Sequence, residues 1–222
     1  MSLARRLVAP LVLAGLMTGV FAGQPASMPP ANAIVLLTGR NLNGWRLYLA
    51  EGKKDPSAAT VTPLGTVSLD SKLSGYLVTE HTFGNYRLHV EWRWPKDAPP
   101  TSNSGVLLHV HGGDAIWPAC FEAQLKNGNA GQVVGMGVDI PAAPMVSNRK
   151  RSPRLADPSE KPPGEWNACD ITCRENTIEV FVNGVRQNYV EKLPVASGHI
   201  ALQLEGYPIE FTNVWIAPLP KD

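Results

Sequence analysis

The stretch Tyr86-Arg87-Leu88-His89-Val90-Glu91-Trp92-Arg93-Trp94 decides the fold class. Leu88, Val90, Trp92 and Trp94 fall on one parity, and Arg87, His89, Glu91 and Arg93 on the other. Successive side chains of a β-strand point to opposite faces, so this stretch is a strand with one face in a core and a polar face opposite. Working outward, the pattern recurs. Gly105 to His111 is rich in Val and Leu, and Phe121 to Leu125 alternates with Glu122 and Gln124 on one face. Asn176 to Asn183 ends in Asn183-Gly184, a tight-turn signal, and resumes at Val185. His199 to Leu204 and Ile209 to Ala217 complete the set. Outside the N-terminal apolar run, no segment of ten or more residues keeps a clean helical period. With 20 Gly and 20 Pro in 222 residues, turns are abundant. Short strands and many turns predict an all-β sandwich or barrel.

Residues 1–22 read as an export signal: Arg5 and Arg6, then an uncharged apolar run from Leu7 to Ala22. The competing reading is a membrane anchor, but the run is shorter than the roughly 20 residues a bilayer requires. Residues 23–33 read as a Pro/Ser/Gly-rich linker and 34–220 as one domain. The expected location is periplasmic or extracellular, with no membrane association after cleavage. Lys and Arg number 20 and Asp and Glu 19, a balance that offers nucleic acid no basic surface. Three cysteines, Cys120, Cys169 and Cys173, lack metal-site spacing and read as buried apolar residues. Ala142 to Gly164 reads as a long loop with five prolines, and its Arg149-Lys150-Arg151 cluster as a solvated face.

Parity also gathers candidate site residues. Arg87, His89, Glu91 and Arg93 share one side of their strand; Leu107, His109 and His111 share one side of theirs. Glu122 and Gln124 form a third group, and Ala201, Gln203 and Glu205 a fourth. Polar side chains on neighbouring strands give a groove with fixed hydrogen-bonding groups for sugar hydroxyls, and Trp45, Trp117 and Trp166 offer flat platforms. Each group has a plainer reading. Glu91 and Arg93 also suit a surface ion pair, and Trp166 and Asn167 a structural corner. Asn103 and Ser104 suit a turn, and Asn213 a backbone-fixing role. Glu122, between Phe121 and Leu125, favours function, because a buried carboxylate is costly without a partner. The His109-x-His111 pair is a weak metal signal, so neither a metal nor another cofactor is expected. The sequence sets no oligomeric state.

Eight motifs now stand in order. Leu37-Thr38-Gly39-Arg40-Asn41-Leu42-Asn43-Gly44-Trp45 opens the series, followed by Phe83 to Arg93 and Asn103-Ser104-Gly105-Val106. A single block of Trp117-Pro118, Glu122-Ala123-Gln124-Leu125 and Asn127 to Gly131, then Gly164-Glu165-Trp166-Asn167 and Val182-Asn183-Gly184, continue it. Gly198 to Gln203 and Phe211 to Val214 close it. This series resembles the 3-keto-disaccharide hydrolase domain family over roughly 34–219. The resemblance implies a concanavalin-like, jelly-roll sandwich of two antiparallel sheets. It also implies a carbohydrate partner and cleavage of glycosides already oxidised at sugar carbon 3. The chain departs from the family at His109, where many members carry Arg, and at Glu205, Thr212 and Gln132. The paired-carboxylate block of laminarinases is absent, which disfavours ordinary retaining hydrolysis. On this reading Glu122 is the acid/base and His109 polarises the ketone. Glu91, Arg93, His111, Trp117, Gln124, Trp166, Gln203 and Glu205 bind substrate. The alternative is a non-catalytic, lectin-like module.

Overall fold

A computed structural model describes residues 28–220; the export-signal reading therefore lies outside the described residues. Among the described residues there are sixteen strands and two short 3-10 turns. Sheet A contains β1 (Ile34–Leu37), β3 (Ala59–Val61), β4 (Val67–Leu69), β6 (Tyr86–Arg93), β12 (Asn167–Arg174), β13 (Thr177–Val182), β14 (Val185–Val190) and β16 (Ile209–Pro218). Its order is β14-β13-β12-β6-β16-β4-β3, with β1 also on β16. Sheet B contains β2 (Trp45–Leu49), β5 (Ser74–Thr79), β7 (Gly105–His111), β8 (Ala119–Gln124), β9 (Val133–Met136), β10 (Met145–Val146), β11 (Arg149–Ser152) and β15 (His199–Glu205). Its order is β10-β11-β9-β8-β7-β15-β5-β2. Every pairing is antiparallel. The fold is the expected all-β sandwich of two sheets.

The alternation of β6 positions its side chains as the sequence predicts. Leu88, Val90 and Trp92 are fully buried between the sheets, where they meet Val106, Leu108, Phe121 and Leu202 from sheet B. Each such side chain contributes about 1.5–3 kcal/mol through apolar burial. Cys169 and Cys173 are buried in this core, Cys120 is buried on the outer side of sheet B, and all three are unpaired. Trp45 is buried as well, with its indole N–H donated to the Leu36 carbonyl, so it is no platform for a sugar.

Of the ladder irregularities among the described residues, two bear on the candidate site residues. In β7 the ladder to β8 shifts between Leu108 and His111, and His109 takes a left-handed backbone with φ 53°. In β16 the ladder to β6 shifts between Thr212 and Trp215, and Asn213 has φ 48°. A bulge inserts one residue and inverts the parity beyond it. The long-loop expectation for 142–164 is also corrected. β10 and β11 form a hairpin there, turned by Ser147 and Asn148, both in the left-handed region. The remainder lies along β14: Leu155 donates its N–H to the Gln187 carbonyl, and Asn188 donates to the carbonyls of Ser152 and Pro153.

Candidate functional site

On β8, Glu122 and Gln124 point away from the core, because Phe121 and Ala123 point into it. Glu122 lies opposite Leu107 of β7, Gln124 opposite Gly105, and Leu107 opposite Ala201 of β15. Gln203 follows two positions along β15 on the same face. Three of the expected residues therefore meet on the outer face of sheet B, with Glu205 two positions further on. Gly105 makes room for them: a Cβ there would stand 2.5 Å from Glu122 Oε1, so the missing methyl is where the carboxyl lies.

This face is dry. Glu122 and Gln203 are each 1 % exposed and Gln124 4 %. Among the described residues, Oε1 of Glu122, of Gln124 and of Gln203 each lacks a hydrogen-bond partner, as does Asn103 Oδ1. Burial, and then the nearby Glu205 carboxylate, push the Glu122 carboxyl up to about 8, against the pull of Arg149 and Arg151. It is therefore protonated at neutral pH. Burial also raises Glu205, while the Asn103 amide, Arg149, Arg151 and Lys126 draw it down. Arg149 stacks over the ring of Trp117 at 4.9 Å and so links the β10–β11 hairpin to the β7–β8 loop. A hollow of about 410 Å³ opens between this hairpin and the sheet, lined by Asn103, Gln124, Gln132, Val146 and Arg151. At the other end of the same face Tyr76 donates to Asp114, which also takes both guanidinium nitrogens of Arg46.

His109 is not part of this face. Its bulge turns the ring inward, edge-on to Tyr86 and Phe121, with Nδ1 3.2 Å from the Val195 carbonyl. Burial drives its pKa down to about 4, which leaves a neutral core imidazole. Gly198 permits the close pass: a Cβ there would lie 2.5 Å from the His109 backbone. His111 is partly buried, and its Nδ1 meets the His109 carbonyl. Val110, not the histidines, shares the outer face with Leu107. Among the described residues, no group of three or more His, Cys, Asp or Glu side chains is arranged to hold a metal.

Glu91, Arg93 and Trp166 lie on the opposite surface, the outer face of sheet A. There His89, 1 % exposed, places Nδ1 3.0 Å from Asp170 and Nε2 3.3 Å from Glu91, with its ring stacked on Trp215. Burial lowers its pKa, but the two carboxylates outweigh burial and the net shift is upward. Asn213, turned outward by its bulge, donates to Glu91 at 2.8 Å. Arg93 pairs with Glu210 rather than Glu91 and lies over Trp166 at 4.7 Å. Asn103, Arg149 and Arg151 were not among the expected site residues. Asn103 reads as a turn residue, and the arginines read as part of a charged loop.

A family model described as a 3-keto-alpha-glucoside-1,2-lyase-like domain matches residues 32–217. The chain belongs to this family. Family and fold make it a carbohydrate-active, hydrolase-like domain. No curated protein matches the chain. Among solved structures, a candidate glycosyl hydrolase from Parabacteroides distasonis is similar at 20 % identity and TM-score 0.61, over 85 % of this chain and 94 % of that one. A Bacillus licheniformis β-glucanase is similar at 12 % identity and TM-score 0.60, over 86 % of this chain and 100 % of that one. A carbohydrate-binding module from Bacillus subtilis, CBM66, is similar at 9 % identity and TM-score 0.54, over 77 % and 93 %. At these identities the likeness concerns the fold.

Proposed function

We propose that this domain cleaves 3-keto-glycosides by elimination and rehydration, on the outer face of sheet B, after export to the periplasm or the extracellular space. The observation that carries the reading is Glu122: a buried carboxyl, its pKa pushed up to about 8 by burial, beside a second carboxylate and among amides whose oxygens lack donors among the described residues. Oxygen acceptors without donors suit a ligand rich in hydroxyl groups.

A ketone at carbon 3 acidifies the hydrogen at carbon 2. A base takes that proton, the C1–O bond breaks, and a C1=C2 bond forms. The departing oxygen takes a proton from an acid, and water then adds across the double bond. Glu122 starts protonated and serves as the acid; Glu205, held by the Asn103 amide, is the base. Arg149 and Arg151, which already act on both carboxyls, stabilise charge developing on the enolate oxygen. Gln124 and Gln203 orient hydroxyls. His109 has no role in this scheme, since its ring is in the core. The scheme is consistent with a family described as lyase-like.

The test offers the purified protein a 3-keto-disaccharide and its unoxidised parent. Release of the 3-keto monosaccharide from the first alone is expected, and Glu122→Gln abolishes it while the thermal unfolding curve stays cooperative. Tight binding of the 3-keto sugar without product identifies a glycan-binding module instead.

A further inference from the structure

We infer that the outer face of sheet A carries a second glycan-binding groove, which takes a neutral oligosaccharide chain independently of the Glu122 face. A hollow of about 610 Å³ lies there, with His89, Glu91, Asp170 and Thr212 in its lining and Trp166 and Lys161 beside them. A second hollow of about 330 Å³ shares Arg93 with the first and continues past Glu210 to Trp94 and Lys96. Two hollows that meet at one side chain form a trough longer than a single sugar ring needs, so the class of ligand is a chain.

The acidic groups on the floor of the trough are all paired, which suits hydroxyl recognition rather than capture of an ion. His89 bridges Asp170 and Glu91, Arg87 pairs with Asp170 at 2.9 Å, and Arg93 pairs with Glu210. These pairs neutralise the floor of the trough and fix its acceptors in place, while Lys161 beside it donates its Nζ to the Trp166 carbonyl. Among the described residues Asp170 receives both Arg87 and His89 through Oδ1, so Oδ2 remains for a hydroxyl donor. Thr212 adds a hydroxyl at the bulge. The rigid floor lowers the ordering cost that a weak ligand must overcome. Trp166, braced by Arg93, adds an aromatic surface of the kind that packs against sugar rings. Nothing in this trough touches Glu122, so its failure and the failure of the Glu122 chemistry are separate results.

The experiment titrates the whole protein with cellotetraose, maltotetraose and laminaritetraose, none of which carries a ketone. The indole N–H resonances of Trp166 and Trp117 report on the two faces separately. The Trp166 signal is expected to move saturably with at least one of the three while Trp117 stays still. By calorimetry, Trp166→Ala weakens that binding at least tenfold. Thr212→Tyr, which fills the trough and leaves the Arg93–Trp166 stack untouched, does the same and guards against a folding defect. Turnover of a 3-keto-disaccharide is unchanged in Thr212→Tyr. The inference is overturned if Trp166 stays still up to about 20 mM of all three sugars, well past ordinary weak affinity. It is equally overturned if binding survives Thr212→Tyr, or is lost instead on Gln203→Ala.

Discussion

On the outer face of sheet A, His89 gives both ring nitrogens to carboxylates, Glu91 takes a further amide from Asn213, and Arg93 pairs with Glu210. On the outer face of sheet B, Glu122, Gln124 and Gln203 are buried about as deeply as His89, yet each keeps an oxygen without a donor among the described residues. The two faces belong to one sandwich and are built from strands of the same alternating pattern. A buried polar group without a partner costs about 1–3 kcal/mol, whereas a closed network avoids that penalty and stiffens its strands. Sheet A uses its His89, Glu91, Asp170 and Arg93 groups mainly to hold itself together, with the buried Trp215 indole N–H the exception among the described residues. Sheet B keeps a destabilising set of acceptors in place, which is the signature of groups kept for a ligand.

The strongest way to break this contrast is Glu122→Gln. Removing a general acid is expected to lower turnover of a 3-keto-disaccharide by about 10²–10⁴-fold with the fold intact. Wild-type rates in the variant, measured by product release, would strip sheet B of its special standing. Next in size, His89→Ala opens the sheet A network and leaves Asp170 and Glu91 without their shared bridge. A loss of about 2–4 kcal/mol in denaturant unfolding is expected. A loss below about 0.5 kcal/mol, typical of an ordinary surface change, would mean the network holds little together.

The pH dependence of stability sharpens the contrast further. In the unfolded chain Glu122 ionises near its ordinary 4.5, but in the fold not until about 8. Between those values the unfolded state loses the proton first, so stability falls as pH rises. Glu122→Gln removes that fall, and the melting-temperature gap between variant and wild type should widen in the variant's favour from pH 5 to pH 8. His89, raised above its ordinary 6.5, contributes stability that is complete below that value and declines as pH rises through the folded pKa. His89→Gln should therefore flatten the curve only above pH 6.5. If both variants flatten the same window, the two faces are not electrostatically distinct. The smallest effect expected is that of Trp117→Ala. Losing the Arg149 stack should lower stability by about 0.5–1 kcal/mol, and the measured change in turnover shows whether the hairpin's hold on Arg149 matters to chemistry.

Alternation made the sandwich legible, and with it the outward position of Glu122, Gln124, Gln203 and Glu205. Parity says which side of its own strand a residue takes, but not which sheet the strand joins. Glu91 and Glu122 look alike in sequence and stand on opposite surfaces, because β6 pairs with β12 and β16 while β8 pairs with β7 and β9. His109 was misread for a different reason. A bulge adds one residue without changing composition, and the left-handed φ that marks it is invisible in the letters. Asn213 sits at the matching bulge of sheet A, and an Asn there is the better clue, since Asn tolerates that backbone. Arg149 and Arg151 were hidden among prolines. Only the Ser147-Asn148 turn, with both residues at positive φ, marks the hairpin that carries them to the acids.

The segment that follows Ser152 has one more consequence. β14 ends sheet A, and an uncovered outer strand offers its amides to any extended chain that drifts past. Here the middle of that border is already occupied by Leu155 and by the carbonyls that Asn188 reaches. At the other end of sheet A, β3 has only three residues, and at one end of sheet B, β10 has two. Strand addition at the β14 border is therefore blocked by the chain's own loop, whereas β2, at the other end of sheet B, is an edge strand of five residues.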